Sequence, residues 1–294
     1  SSLHEAVPIP TLDLEALKVP PLVGERLRSF LTTDLGEIAE AITQSSARLL
    51  DVRGASGVGK SRLLDEVRGR LRSRGFRTLH YDAMALRDGV VRNLLSDLTS
   101  LSVTKGRLML GARELPHVLR GRGCDPEFAD ALAQFLTRSI DLSAAFFALT
   151  ETVKHFLQQP VHVGPLVVLI DNIQELSPTT LDLLVEGAEF LRTNAAMTLL
   201  VLATNTEVID HSMVRAVAEF HERLDAFDRR FRLRYDVQAL RTPDARVLLY
   251  HLLHGLPEAA AREAGVAAEE PVLDLLISKA GNRPLELVVT VDWM

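Results

Sequence analysis

Residues 47–61 read Ala-Arg-Leu-Leu-Asp-Val-Arg-Gly-Ala-Ser-Gly-Val-Gly-Lys-Ser, a short apolar run that breaks into a glycine-rich loop. The last eight, Gly54, Ala55, Ser56, Gly57, Val58, Gly59, Lys60 and Ser61, satisfy the pattern G-x-x-x-x-G-K-[ST] at every fixed position. Each part has a physical task. Glycines let the backbone fold around an anion with its N–H groups turned inward, and the following helix adds the positive end of its dipole. Lys60 can reach the β- and γ-phosphates, and the Ser61 hydroxyl can ligate Mg²⁺. Context separates such a loop from an ordinary glycine turn. A strand-like run precedes it, and Leu63, Leu64, Val67 and Leu71 recur afterwards at helical spacing, with Arg62 in the first turn. The stretch predicts a strand–loop–helix unit that binds a nucleotide, ATP or ADP.

A phosphate loop needs a second strand that brings a carboxylate to the metal, because Mg²⁺ is a hard cation that prefers oxygen ligands. Pro165-Leu-Val-Val-Leu-Ile-Asp171 supplies it, an apolar run with an acid at its carboxyl end, where ligands of open α/β sheets sit. Ser61 and Asp171 are therefore the expected Mg²⁺ ligands. The next residue is Asn172, where many such hydrolases place an acid that polarises the attacking water. An amide can orient water but cannot take its proton. Glu175, three positions on, either substitutes for that acid or is surface decoration. The expectation is slow or partner-dependent hydrolysis. Thr204 and Asn205 end a further apolar strand, Thr198–Ala203, and either sense the γ-phosphate or form a strand-end turn.

Around these motifs the pattern alternates between strand and helix. A helical pattern carries Leu35, Ile38, Ala39 and Ile42; Phe76–Met84 reads as a second strand, followed by a helix with Val91, Leu94, Leu95, Leu98 and Leu101. Residues 106–159 read as mostly helical, Ser177-Pro178 as a helix start, 212–226 as a long amphipathic helix, and Phe231–Tyr235 as a last strand. From Thr242-Pro243 onward the pattern is only helical, with Gly281 ending one helix and Pro284 starting the next. The expected organisation is an extended tether over 1–21, an α/β P-loop domain over 22–240 with a parallel sheet flanked by helices, and a small helical lid over 241–294. Arg223, Arg229, Arg230, Arg232 and Arg234 gather near the last strand, either as fingers for a neighbouring subunit's phosphate or as a solvated basic face.

Composition bounds the rest. The chain has 294 residues, 47% hydrophobic and 24% charged, enough for a substantial core, and a net charge of −6 gives no global reason to expect nucleic-acid binding. Cys124 is the single cysteine, which excludes an internal disulfide and fits a reducing cytoplasm. The apolar run around Pro165–Ile170 is too short to span a bilayer and no signal peptide is legible, so no membrane partner is expected. The opening Ser-Ser is read as the start of a trimmed chain or of a piece of a longer protein.

Taken in order, these motifs resemble the AAA+-related STAND and origin-recognition-like ATPases, over Leu22 to Leu287. Val23-Gly24-Glu25-Arg26 resembles a Val-Gly-Arg-Glu turn with its last two residues exchanged; Asp171-Asn172-Ile173-Gln174 resembles an Asp-Asp-x-Gln metal motif; Gly281-Asn-Arg-Pro-Leu-Glu-Leu287 resembles a Gly-Asn-Pro-Leu lid corner with Arg283 inserted. The resemblance implies an ATPase in which Val23 and Gly24 help hold the adenine, Arg283 and Pro284 contact the nucleotide from the lid, and Asn205 reports on the γ-phosphate. It further implies a conformational and oligomerisation switch within a larger signalling, regulatory or defence protein, whose self-association or partner domains lie outside this chain. The alternative is an AAA+ ATPase that acts on DNA, as in replication initiation or transposition. The arginine cluster and the basic helix around Arg62–Arg74 would then touch phosphate backbones, with steeply salt-dependent affinity.

Overall fold

The strand-like run 48–54 and the apolar runs that end in 166–171 and 198–205 become the three inner strands of a sheet, buried along nearly their whole length as inner parallel strands require. A computed structural model describes residues 24–44, 46–99, 101, 103–104, 107–108, 113–158, 165–194, 196–207, 211–254 and 270–292. The chain forms two compact units, one of Phe30–Gln238 and one that joins the residues before Phe30 to those from Ala239 onward. The tether expected over 1–21, and Val23, lie outside the described residues.

In the larger unit the strands are β1 (Arg48–Gly54), β2 (Arg77–Asp82), β5 (Leu166–Asp171), β6 (Thr198–Asn205) and β7 (Arg232–Asp236), with a two-residue ribbon, β3 (Val103–Thr104) and β4 (Arg107–Leu108), between β2 and β5. The main sheet is all parallel in the order β2-β5-β6-β1-β7. Its register decides what meets at the carboxyl edge. Gly54 of β1 lies opposite Asn205 of β6, and Asp82 of β2 lies opposite Asp171 of β5. Four chemistry-bearing positions thus reach one edge.

Helices cover both faces with the stripes their sequences dictate. The helix after the glycine loop, Lys60–Ser73, buries Leu63, Leu64, Val67 and Leu71. Helix Pro178–Thr193 starts where the sequence says it should: Pro178 fills its first turn, and the Ser177 hydroxyl accepts from the Thr180 N–H at 3.3 Å. The strand expected over Phe76–Met84 is shorter, Arg77–Asp82, because the Asp82 carboxylate accepts from the Met84 N–H at 2.9 Å and opens a one-turn helix, Ala83–Leu86. The stretch expected to be mostly helical after residue 106 also begins differently, with the β3–β4 ribbon. Helices Leu115–Gly121, Pro126–Leu136 and Leu142–Gln158 then follow.

One group of charges lies inside the larger unit. Asp51 on β1 is fully buried, and its Oδ2 accepts from Arg53 at 2.7 Å and from Arg232 of β7 at 2.7 Å. Both guanidinium groups also reach Asp225 at the end of helix His211–Asp225, Arg53 at 2.9 Å. The side chains of Arg53 and Arg232 are 8% and 9% exposed, so Arg232 belongs to an interior ion-pair quartet and is neither a finger nor part of a solvated basic face. Burial of such charges is tolerable because each cation has two anions within reach.

In the smaller unit, helices Thr242–His254, Glu270–Ala280 and Pro284–Asp292 pack around Leu248, Leu249, Tyr250, Leu273 and Leu287. The corner between the last two turns on Gly281 (φ 55°) and Asn282 (φ 58°), left-handed conformations that suit glycine and asparagine. No helix among the described residues is long and apolar enough to cross a membrane.

Candidate functional site

The loop after β1 is shaped by two demands, a tight base and an inward-facing backbone. A Cβ on Gly54 would lie 2.6 Å from the Val237 carbonyl oxygen and 2.9 Å from a Val58 methyl, so only glycine fits where the loop leaves the sheet. The loop's base is stitched to both neighbouring strands: the Val237 N–H donates to the Arg53 carbonyl at 2.7 Å, and the Thr206 N–H to the Gly54 carbonyl at 3.0 Å. Gly57 (φ 74°) and Gly59 (φ 100°) then take left-handed conformations that turn the chain into the helix at Lys60. Lys60 is buried, and its ammonium donates to the carbonyls of Gly54 at 3.0 Å and Ala55 at 2.6 Å. Burial pushes its pKa down, and the carboxylates of Asp171 and Glu207 oppose that shift. Val58 is buried beneath the loop, Ala55 and Arg62 are half-buried, and Ser56 and Ser61 are exposed.

Along the sheet edge, polar side chains form a hydrogen-bonded belt. Asn172 follows Asp171 in a left-handed conformation (φ 57°), and its N–H donates to Asp171 Oδ1 at 2.8 Å. Asn172 Nδ2 donates to Asp82 Oδ1 at 2.9 Å, and Asn172 Oδ1 accepts from Gln174 Nε2 at 3.4 Å. Gln174 Oε1 accepts from the Asn205 N–H at 3.0 Å, Asn205 Oδ1 from the Glu207 N–H at 3.0 Å, and Glu207 Oε2 from the Ser56 N–H at 3.1 Å. The belt runs from the edge strand β2 across β5 and β6 to an amide of the phosphate loop. Residues 27–202, more than half the chain, match the AAA ATPase domain family.

This chain belongs to the AAA ATPase domain family. Its fold is the α/β P-loop fold of AAA+ ATPases. It is similar to the Drosophila ORC bound to DNA, at 16% identity and a TM-score of 0.50, covering 88% of this chain and 58% of that one. It is also similar to the Aeropyrum pernix ORC1 protein in complex with DNA, at 16% identity and a TM-score of 0.47, covering 90% and 61%. AMPPCP-bound DnaA from Aquifex aeolicus aligns at 12% identity and a TM-score of 0.45, covering 92% and 62%. The chain therefore spans about three fifths of the length of these structures. No curated protein matches it.

In this AAA ATPase domain, the expected residues fall into three groups. Gly54 to Arg62, Asp171, Asn172 and Asn205 come together at the carboxyl edge of one sheet. Glu175 ends the short turn Ile173–Glu175, exposed, and its carboxylate makes no hydrogen bond or ion pair among the described residues. Gly24, Arg283 and Pro284 belong to the smaller unit. Within it, Gly24 (φ 111°) accepts from the Arg28 N–H at 3.1 Å, and the half-buried Arg283 accepts through its carbonyl from the Leu287 N–H at 3.0 Å. Thr204 parts company with Asn205. Thr204 is buried in the inner strand β6, opposite Arg53, and its hydroxyl has no hydrogen-bond partner among the described residues. Three residues of the belt were missed as site residues: Asp82, Gln174 and Glu207. Gln174 was legible as part of the metal motif, whereas Asp82 and Glu207 carry no local signal, because what places them is the strand order.

Proposed function

We propose that this domain binds ATP with Mg²⁺, hydrolyses it slowly or with a partner's help, and uses the bound nucleotide as a conformational and oligomerisation switch within a larger protein. The observation that carries this reading is the belt, which starts from an amide where a second acid would follow the metal acid and reaches the phosphate loop through Gln174, Asn205 and Glu207. Lys60 and the loop amides would bind the phosphates, and the fit of Gly54 against Val237 supports a backbone built for close approach. Ser61 and Asp171 offer the oxygen ligands a hard divalent cation prefers, and Mg²⁺ would supply charge neutralisation on the phosphates. Asn172 would orient water without accepting its proton. Asn205, through Gln174, would report on the γ-phosphate.

Three of the five clustered arginines are paired with carboxylates, which favours the switch over the DNA-acting alternative, while Arg229 and Arg230 are exposed. Arg232 is interior, Arg223 bonds Asp182 at 2.6 Å, and Arg234 bonds Asp236 at 2.9 Å. Mass measurements of the wild type and Lys60→Ala with no nucleotide, ADP or ATP plus Mg²⁺ test the proposal. The wild type changes its assembly with ATP and the variant does not. A wild type whose ATP binding and mass are both unaltered overturns the switch. Tight, steeply salt-dependent binding of duplex DNA added to the same assay favours the alternative.

A further inference from the structure

We propose that Asp82, at the end of the edge strand β2, is the carboxylate that takes the proton of the attacking water. The inference rests on the ATP-hydrolysing reading above and supplies the base that reading lacks. Asp82 stands opposite Asp171 in the parallel register, so it reaches the same edge as the metal acid from the neighbouring strand. Its Oδ1 is fixed twice, by the Met84 N–H at 2.9 Å and by Asn172 Nδ2 at 2.9 Å. Its Oδ2 accepts no hydrogen bond and the carboxylate joins no ion pair among the described residues, although the side chain is exposed. An amide next to a carboxylate can only donate to it, so in the Asn172–Asp82 pair the proton-accepting charge rests on Asp82. The other two acids near the site are placed less well. Glu175 is exposed and its carboxylate makes no hydrogen bond or ion pair among the described residues that would fix it, and Glu207 is committed to the Ser56 amide.

In the step this implies, the water oxygen forms a bond to the γ-phosphorus. The bond from that phosphorus to the β–γ bridging oxygen breaks, and its electron pair leaves on ADP. The water's proton passes to Asp82 Oδ2 and is returned to solvent after phosphate departs.

The test compares single-turnover ATP hydrolysis, the affinity for a non-hydrolysable ATP analogue, and Tm. The proteins are the wild type, Asp82→Asn, and the exchanged double variant Asp82→Asn/Asn172→Asp. Asparagine at 82 keeps both acceptor roles of Oδ1 and removes the carboxylate's charge and basicity, so the fold should hold and the analogue's Kd should tighten by no more than about fivefold. Turnover should fall about 100-fold, the scale of a lost general base. The double variant, which moves the acid onto β5, should recover at least about tenfold of the loss. Turnover of Asp82→Asn within about threefold of wild type overturns the proposal, as does a double variant no faster than Asp82→Asn. A wild type that binds the analogue without any turnover also overturns it, while leaving nucleotide binding intact. A wild type that does not bind the analogue overturns the nucleotide reading itself.

Discussion

Two polar clusters flank the same strand, β1, and they are built in opposite ways. In the interior, Asp51, Arg53, Arg232 and Asp225 pair cation with anion at 2.7–2.9 Å, and three of the four side chains are under a tenth exposed. At the carboxyl edge, the belt from Asp82 to Ser56 runs mostly through amides and backbone groups, and the Asp82 carboxylate joins no ion pair among the described residues. Charges that neutralise one another are spent on holding β1, β7 and the helix ending at Asp225 together. At the edge, amides and backbone groups lie on the same side of the sheet as a lysine whose donors fold back on loop carbonyls, an arrangement that suits an incoming anion and its metal. One cluster holds the fold and the other serves the ligand.

The largest expected effect breaks the interior cluster. Asp51→Ala leaves two buried guanidinium groups facing only Asp225, and should cost about 3–5 kcal/mol of unfolding free energy in a denaturant titration. Gly54→Ala sits where the two regions join. Its Cβ meets backbone at 2.6 Å, so the loop must shift, with about 1–3 kcal/mol lost and nucleotide affinity lowered, both readable by thermal denaturation with and without ATP. A third effect is pH-dependent. His221 lies beside the quartet with neither ring nitrogen bonded, and burial first and Arg53 next push its pKa down to about 4, against the pull of Asp51 and Asp225. An imidazole held neutral in the fold stabilises it fully above the unfolded value of about 6.5, and that contribution is lost as pH falls from there towards 4. The Tm of the wild type should therefore fall over that window more steeply than that of His221→Phe. The smallest effect sharpens the edge: Glu207→Gln removes a negative charge from beside the phosphate loop and should tighten ATP binding by about three- to fivefold in calorimetry at low salt.

What the sequence reveals is governed by distance along the chain. The inner strands, the loop from Gly54 to Ser61, the Ser177-Pro178 helix start and the Gly281–Pro284 corner are local patterns, and each appears as expected. The alternation Arg-Leu-Arg-Tyr at 232–235 reads as a basic exposed strand because the partner that buries Arg232, Asp51, is 181 positions away. The partner of Asn172 is likewise 90 positions distant, at the end of a strand that runs on as a helix turn. Lys60, Asp171 and Asn205 could be named from motifs, but the bonds that join Asn205 to Asn172 depend on β5 and β6 lying side by side.

The most direct measurement is ATP binding by calorimetry, with Mg²⁺ present, for the wild type and Lys60→Ala. The carboxyl-edge site predicts one equivalent of ATP bound by the wild type and affinity at least about 100-fold weaker in the variant, since the buried ammonium is the loop's own cation for the phosphates. Equal binding by both proteins, or binding by neither, would contradict it.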